Sequence, residues 1–434
     1  MSQVKRIIIL SLFIILVTGL GFSQTHYGVK QTSNVNWLLL TPTTSSYSGD
    51  SNTQIASLEK VTFTHMPLDD EAYDYIRPLG NLNPPYHTFP TDHIYFGLKN
   101  ETYNIYAPAK GIITQINNWT AERGGAYQDY SLQIKHSLTF KSYFHHMSGL
   151  ADWILEKVGE VTEFTPVFIP VEAGQVIGWA EKQPGGSQCL DWGAIDDKIT
   201  LSFIHPETYF RGVVHGDVNV HAVCPLDYLE ESLREKAYQK VIRLDEPRGG
   251  KIDYDLLGRA SGNWFLEGSP SGIWNNSALL ALVYHVHNAS QMVVSVGGNV
   301  LAPLPIGVFN ATGPDFRGVS AESGKTIYHL VGDFPESVKG QNYTLVVQVV
   351  GDERIRVEAF TGHQGEVNFT ENAVFYCRTG PYAPLYFERL ITLSLAILNQ
   401  HSTSFKAALI VLGAAGGVAV LLALTFVLLK KGHQ

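Results

Sequence analysis

The chain has 434 residues, of which 45% are hydrophobic and 16% are charged, and its formal net charge is -9. A chain of this length is expected to form two or three domains with sizeable cores. The low charge density and negative sign argue against an electrostatic nucleic-acid binder, which would carry a basic patch. The 40 Gly, 20 Pro, 21 Tyr and 21 Phe residues indicate a turn-rich, mostly β protein.

The N-terminus has the layout of a secretory signal peptide. A short basic region, Lys5-Arg6, precedes an apolar run from Ile7 to Val17, and Gly21-Phe22-Ser23 supplies small residues at the cleavage-defining positions. This order predicts a signal peptide over residues 1–23, with a retained anchor helix as the alternative. An irregular polar lead-in is predicted over residues 24–75.

Residues 76–240 are predicted to form a first β unit, in which short strands alternate with Gly/Pro turns. Tyr228–Val241 has charges at helical spacing and is predicted to be its closing helix. Pro247–Gly250 is predicted to be a linker, because Pro and Gly both interrupt regular structure. Strands rich in β-branched and aromatic residues are predicted at Tyr103–Ala107, Gly111–Ile116, Tyr130–Lys135 and Ser142–Met147.

Residues 251–380 are predicted to form a second β unit, a sandwich or a barrel, because they contain two hairpin patterns. In Arg354–Phe360, apolar residues alternate with charged ones, which predicts a half-buried strand. The run Gly262-Asn263-Trp264 resembles the Gly-x-Trp of lipocalin barrels, and that resemblance implies a closed barrel. The hairpin strands are predicted at Leu279–Val286, Met292–Val296, Leu345–Val350 and Arg354–Phe360.

The C-terminal region is predicted to anchor the chain in a cell membrane. Residues 407–429 carry no charge and, at about 1.5 Å per residue, are long enough to span a bilayer as a helix. A juxtamembrane segment is predicted over residues 381–406 and a cytoplasmic tail over 430–434, with the bulk of the chain extracellular because Lys430-Lys431 stay inside. A buried core helix is the alternative. Gly413 and Gly417 form a GxxxG pair that could mark a homodimer face.

Seven Asn-x-Ser/Thr sequons in an exported chain predict a glycosylated surface protein. They begin at Asn100, Asn118, Asn275, Asn288, Asn310, Asn342 and Asn368.

The three cysteines are Cys189, Cys224 and Cys377. Export permits disulfides, and the odd count leaves at least one thiol unpaired within the chain. Cys189–Cys224 is the predicted pair because both residues fall in the first β unit.

A series of short phrases between Asn83 and Tyr228 carries a family resemblance. Their order resembles the lysostaphin/LytM-type zinc endopeptidases, which have a duplicated hybrid motif fold and cut peptidoglycan cross-bridges. In that family a His-x-x-x-Asp motif opens the domain, a "YAHLS" phrase supplies a catalytic His and "HLHFE" closes the site. The resemblance implies a LytM-like antiparallel β domain. The phrases are Pro84–His93, Tyr106–Ile113, Leu132–His136, Ser142–Ser148, Val171–Gly178 and Cys189–Gly193.

The first part of the site follows from two of these phrases. His87 and Asp92 match the opening motif with one extra residue between them, and His93 offers another nitrogen next door. His146 matches the catalytic His of the "YAHLS" phrase and has His145 as an unexpected neighbour. The resemblance therefore makes His146 the general base or acid.

The closing motif departs from the family. Cys189 stands where the family has a catalytic His, Asp191 where it has a zinc ligand, and Gly193 replaces the acidic residue. The resemblance leaves His87, Asp92 and Asp191 to supply N, O and O ligands to a zinc ion. Such a harder, more anionic set would hold zinc less selectively and make a metal-bound water a weaker acid. Cys189 could instead be a metal ligand, unless a disulfide removes it.

Three functions stay open on the sequence. The retained histidines favour a zinc endopeptidase that cleaves peptide bonds in a cell-envelope polymer. The lost closing histidines favour a catalytically inactive peptidase-fold module that binds a surface glycan, a peptide or a partner protein. A structural cell-envelope component is the third.

Overall fold

A computed structural model describes residues 61–209, 219–269 and 276–379, together with the backbone of residues 407–412 and 421–426. The chain is mostly β, and the strands of the described sheets pair antiparallel. The predicted signal peptide, the lead-in up to residue 60, the juxtamembrane segment and the tail lie outside the described residues.

The first β unit contains two sheets and three short helices. Its strands are β1 (Tyr73–Arg77), β2 (His93–Leu98), β3 (Tyr103–Tyr106), β4 (Gly111–Asn118), β5 (Tyr130–Lys135), β6 (Phe140–Met147), β7 (Gly149–Leu150), β8 (Thr165–Val171), β9 (Val176–Ala180), β10 (Cys189–Asp196) and β11 (Ala222–Val223). The helices are α1 (Asp152–Val158), α2 (Pro206–Tyr209) and α3 (Glu231–Gln239). The larger sheet has the order β1-β2-β10-β6-β5-β4-β8 with β11 paired to β10, and the smaller has the order β3-β9-β7.

The predicted strands of this unit form as β3 to β6. The predicted closing helix is α3, and it is shorter than expected because Pro225–Tyr228 forms a separate 3-10 turn before it. The segment predicted as a linker is packed into the unit, since the Leu79 amide donates to the Gly249 carbonyl at 3.1 Å.

The two faces of the larger sheet have opposite character. Because successive side chains of a strand point to opposite faces, Ile94, Phe144 and Trp192 share one face, and all three are fully buried in the core. The residues that alternate with them, among them His93 and Asp191, lie on the other face. That polar face carries the candidate site.

The second β unit is a closed antiparallel barrel. Its strands are β12 (Gly262–Leu266), β13 (Leu279–Tyr284), β14 (Met292–Val296), β15 (Gly307–Thr312), β16 (Thr326–Phe334), β17 (Asn342–Gly351), β18 (Arg354–Thr361) and β19 (Val374–Cys377). Each strand pairs with the next, and Phe265 of β12 lies opposite Cys377 of β19, which closes the ring. The barrel also contains 3-10 turns at Asn276–Ala278, Asn299–Leu301, Ala321–Ser323 and Glu336–Val338, and a further one in the first unit, Asp70–Ala72, precedes β1.

Side chains fill the interior of the barrel, as is usual for eight strands. Ile355, Val357 and Ala359 of β18 point inward and are buried, as their alternation predicts. Glu358 points the other way and is nevertheless buried, because its carboxylate accepts a hydrogen bond from the Thr370 amide at 2.7 Å.

One outer flank of the barrel belongs to the core of the first unit. Phe265, Leu279, Ala281 and Val293 point out of the barrel and join the buried cluster of the first unit. The Phe89 and Phe265 rings meet edge to face with centroids 5.3 Å apart. The core of the first unit therefore extends over this flank of the barrel, and the barrel interior forms a separate apolar cluster.

The predicted transmembrane helix over residues 407–429 is wrong. Ala407–Leu412 (β20) and Leu421–Phe426 (β21) pair as antiparallel strands. Within the described part of the chain, no helix is both long and apolar enough to cross a membrane. Each of these strands is an apolar run of 6 residues, and periodicity alone does not distinguish so short a run from a segment of helix. Gly413 and Gly417, the predicted dimer pair, lie outside the described residues.

Candidate functional site

The polar face of the larger sheet brings together residues from β2, β10 and β6. Gly193 lies opposite both His93 and Tyr143, and Asp191 lies opposite His145. Directly opposed residues point to the same face, so these side chains form neighbouring rows. The register of three strands therefore places His93 and Asp191 side by side.

His146 reaches the same face through an irregularity in β6. Tyr130 is opposite Met147 and Leu132 is opposite Phe144, so β6 has one extra residue in this stretch. His146 has φ of 62°, and it is the one non-glycine residue with positive φ in the described parts of the chain. Bulges and left-handed backbone occur where a side chain must be redirected, and they concentrate at functional sites.

Asp191 lies between two imidazoles. Its Oδ2 is 3.3 Å from His93 Nε2 and 3.5 Å from His146 Nε2. The Asp191 side chain is 4% exposed and the His146 side chain 27%, so His146 is the member of this group that solvent reaches. A buried carboxylate is stable only when it is paired, and here two rings pair it.

A second carboxylate lies behind each imidazole. Asp92 Oδ1 is 3.1 Å from His93 Nδ1, and Asp129 Oδ1 is 3.2 Å from His146 Nδ1. Arg123 Nε donates to Asp129 Oδ2 at 2.9 Å. We call this series the imidazole–carboxylate chain; its members are Asp92, His93, Asp191, His146, Asp129 and Arg123.

The charges of this chain stabilise one another. Burial alone would lower the pKa of His93, but the contacts with Asp191 and Asp92 outweigh it and raise that pKa to about 10. Burial likewise opposes protonation of His146, whose pKa is nevertheless raised by Asp191 and Asp129. Burial would raise the pKa of Asp191, yet His146 and His93 hold it below its usual range. The neighbouring carboxylates thus favour the protonated form of both rings.

The predicted zinc ligands do not converge. In the described parts of the chain, no three His, Cys, Asp or Glu side chains are grouped so that they could hold a metal ion. Asp92 and Asp191 contact opposite nitrogens of the His93 ring, so the ring separates the two carboxylates. His87 instead meets the edge of the His93 ring, with centroids 5.9 Å apart. A protonated imidazole also has no lone pair for a metal.

The cysteines are free thiols, so the predicted Cys189–Cys224 disulfide does not form in the structure. Cys189 begins β10 opposite Gly97, whereas Cys224 Sγ lies 3.8 Å from the Tyr238 hydroxyl. Burial raises the pKa of Cys189 to about 11 and that of Cys224 to about 12. Thiols with such pKa values are poor metal ligands at neutral pH.

The Tyr143 ring leaves room only for glycine at position 193. The Tyr143 ring lies over Gly193, and its hydroxyl donates to Asp92 Oδ1 at 2.7 Å. A Cβ at position 193 would overlap that ring. A larger residue is therefore not accommodated at this position, because it would meet the ring of the tyrosine that contacts Asp92.

We expect Gly193→Ala to lower the free energy of unfolding by about 1–3 kcal/mol, the usual cost of overpacking. Urea denaturation measures the difference. Gly351→Ala is the matched control, because a Cβ there meets nothing within 4 Å. Equal losses in the two variants would contradict the packing of Tyr143 on Gly193.

The raised pKa of His93 predicts how stability depends on pH. Its pKa rises from 6.5 to about 10 on folding, so its contribution is fully present below pH 6.5 and is lost as pH rises through about 10. Urea denaturation from pH 6 to 10 should show a steeper decline in the wild type than in His93→Gln. Parallel curves would exclude a protonated His93 in the folded state.

Four of the predicted glycosylation sequons have exposed asparagines, namely Asn100, Asn288, Asn342 and Asn368. Asn118 and Asn310 are partly buried, and Asn118 Nδ2 donates to the Val161 carbonyl at 3.4 Å. Asn275 lies outside the described residues. Glycosylation stays a prediction.

Comparisons with known proteins add little. No family model matches the chain, and no curated protein matches it. Among solved structures, a zinc-containing peptidase from Vibrio cholerae is similar over 32% of this chain and 38% of that chain, with 13% identity and a TM-score of 0.24. The chain thus matches well under half of that peptidase. We transfer neither a fold nor a residue role from this likeness.

Proposed function

We propose that the first β unit is a catalytically inactive peptidase-like module that binds its ligand without a metal. One observation carries this proposal: the Asp191 carboxylate is paired with His93 and His146, at 3.3 and 3.5 Å. Asp191 is the residue that the LytM-type resemblance makes a zinc ligand. With both rings protonated, their positive charge substitutes for that of a divalent ion.

The charge balance of the imidazole–carboxylate chain supports a metal-free site. The carboxylates of Asp92, Asp191 and Asp129 contact two imidazoles and the Arg123 guanidinium, so protonation of both rings would balance their charges. A divalent cation would add two charges to a buried group that is already neutral, unless the rings released their protons. Metal binding would therefore compete with protonation of His93 and His146.

The ligand we propose is a segment of a cell-envelope polymer or of a surface protein. The LytM-type order of phrases supports this class, because that family acts on a wall polymer. Loss of the closing histidines removes the groups that would stabilise charge in a hydrolytic transition state. Binding at the polar face, without cleavage, is what the remaining side chains can provide.

Metal analysis of the full chain tests this proposal. We expect far less than one equivalent of zinc after purification without chelators, and a melting temperature that is unchanged by added zinc or by a chelator. We also expect no cleavage of a peptide library. Stoichiometric zinc together with cleavage that His146→Ala abolishes would overturn the proposal.

A zinc endopeptidase remains the second candidate because of two buried atoms. Within the described structure, Asp191 Oδ1 and His93 Nε2 make no hydrogen bond of good geometry, although His93 Nε2 lies 3.3 Å from Asp191 Oδ2. Buried polar atoms in folded proteins normally have a hydrogen-bond partner, and an exception can mark the position of a bound ion. The zinc content of the purified chain separates the two candidates.

A further inference from the structure

The polar face continues from the imidazole–carboxylate chain onto β4, β5 and β6. Gln133 lies opposite both Gln115 and Tyr143, and Asn117 lies opposite Ser131. A depression of about 150 Å³ lies over these residues and also contacts Asp92. We call this surface the amide shelf; its residues are Gln115, Asn117, Ser131, Gln133, Tyr143 and His145.

One end of the amide shelf carries two lysines. Lys135 and Lys141 lie directly opposite each other on β5 and β6, and both are partly exposed. Lys135 is two residues from Gln133, and Lys141 two from Tyr143, so both lysines point to the face of the shelf.

Among the described residues, no close counter-ion lies next to either lysine. Neither makes an ion pair within 4 Å in the part of the chain that the structure describes, although Asp197 and Asp92 attract Lys141 from farther away. Burial lowers the pKa of Lys141, and Lys135 adds to this effect. Like charges directly opposed across two strands are destabilising. A bound anion would relieve that repulsion.

The chemistry of the shelf fits a peptide better than a sugar. Gln and Asn side chains donate and accept hydrogen bonds as peptide groups do. The one tyrosine, Tyr143, is 9% exposed and its ring covers Gly193, so it offers no open face for a sugar to stack on. From Lys141 to His145 the shelf extends four residues along β6, about 13 Å, the length of roughly four extended residues.

We propose that the amide shelf binds an extended peptide whose terminal carboxylate lies between Lys135 and Lys141, with its chain running toward His146. This inference rests on the proposed binding function and names its ligand class and orientation. Asn117 and Ser131 are buried and hydrogen-bonded to each other at 2.7 Å, so they form the floor of the shelf. The partly exposed Gln115 and Gln133 hold the peptide groups, and the lysines select the free carboxylate.

The test compares two peptides on the full chain by isothermal titration calorimetry: acetyl-trialanine with a free carboxylate and the same peptide with a terminal amide. We expect the free acid to bind about tenfold more tightly, since hydrogen bonds to charged groups are the stronger ones. Lys135→Gln/Lys141→Gln should remove this difference and leave amide binding unchanged. Lys339→Gln, an exposed lysine on the barrel, is the matched control and should change nothing.

Equal binding of acid and amide by the wild type would overturn the inference while leaving the binding module intact. The inference also fails if neither peptide binds, or if the double lysine variant keeps the preference. Zinc-dependent hydrolysis of either peptide would instead overturn the proposed function. Circular dichroism of the variants checks that they fold.

Discussion

Replacing Asp191 with asparagine should lower the free energy of unfolding by about 3–5 kcal/mol, the typical cost of removing one partner from a buried ion pair. The substitution keeps the volume of the side chain but leaves His93 and His146 facing a neutral amide. Asp191 is 3% exposed, so water has little access to this position and cannot replace the carboxylate as the partner of the two rings. Urea denaturation at pH 6, where both rings are protonated in the wild type, measures the loss.

A double-mutant cycle shows whether the loss comes from the ion pair. His93→Gln removes one of the two charges left unpaired, so combining it with Asp191→Asn should cost clearly less than the sum of the single losses. The stability effects of substitutions at contacting residues are coupled in this way, whereas those at distant residues are additive. Strict additivity would mean that the 3.3 Å contact between His93 and Asp191 does not stabilise the fold.

We expect Arg378→Ala to destabilise the barrel by about 3–5 kcal/mol, again because a buried charge loses its partner. Arg378 is 2% exposed and its guanidinium lies 3.5 Å from the centroid of the Trp264 ring. It pairs with Asp255 at 3.1 Å and donates to the Asn263 carbonyl at 2.9 Å. Its removal leaves the buried Asp255 carboxylate without a counter-ion, with two backbone amides still donating to it, and leaves several carbonyl oxygens unsatisfied. Thermal denaturation followed by tryptophan fluorescence reports the change.

Arg317→Ala is the matched control for Arg378→Ala. Arg317 also stacks on an aromatic ring, that of Tyr284 at 4.6 Å, and also pairs with an aspartate. Its side chain is 55% exposed, however, so its ion pair is screened by solvent. A loss at Arg317 as large as that at Arg378 would show that burial is not the reason for the effect.

Local patterns predicted the strands well. Tyr130–Lys135 and Met292–Val296 form strands with the bounds that their residue types indicate. Alternation also placed Ile355 and Val357 inside the second unit. Closure into a barrel depends on pairing between β12 and β19, which are far apart in the chain, and apart from the short Gly-x-Trp match the sequence left sandwich and barrel open.

The site was only partly predictable. The LytM-type phrases singled out His146 and Asp191, which do meet, although with each other and not around a metal. Asp129 and Arg123 were missed because neither belongs to any of the phrases, and the contact of Asp129 with His146 depends on a bulge in β6. Hydrophobic periodicity does not record such an insertion. His93 was considered only as an extra nitrogen, yet it is the ring between Asp92 and Asp191.

The apolar contact between the core of the first unit and the outer flank of the barrel also determines how the molecule unfolds. Phe265, Leu279 and Val293 would be stranded in water if the first unit melted alone, and Phe89 would be stranded if the barrel did. Unfolding of either unit alone would expose apolar side chains of the other to water, which raises the free energy of the partly unfolded state. Calorimetry should therefore record a single cooperative transition. A chain cut between the halves should therefore aggregate.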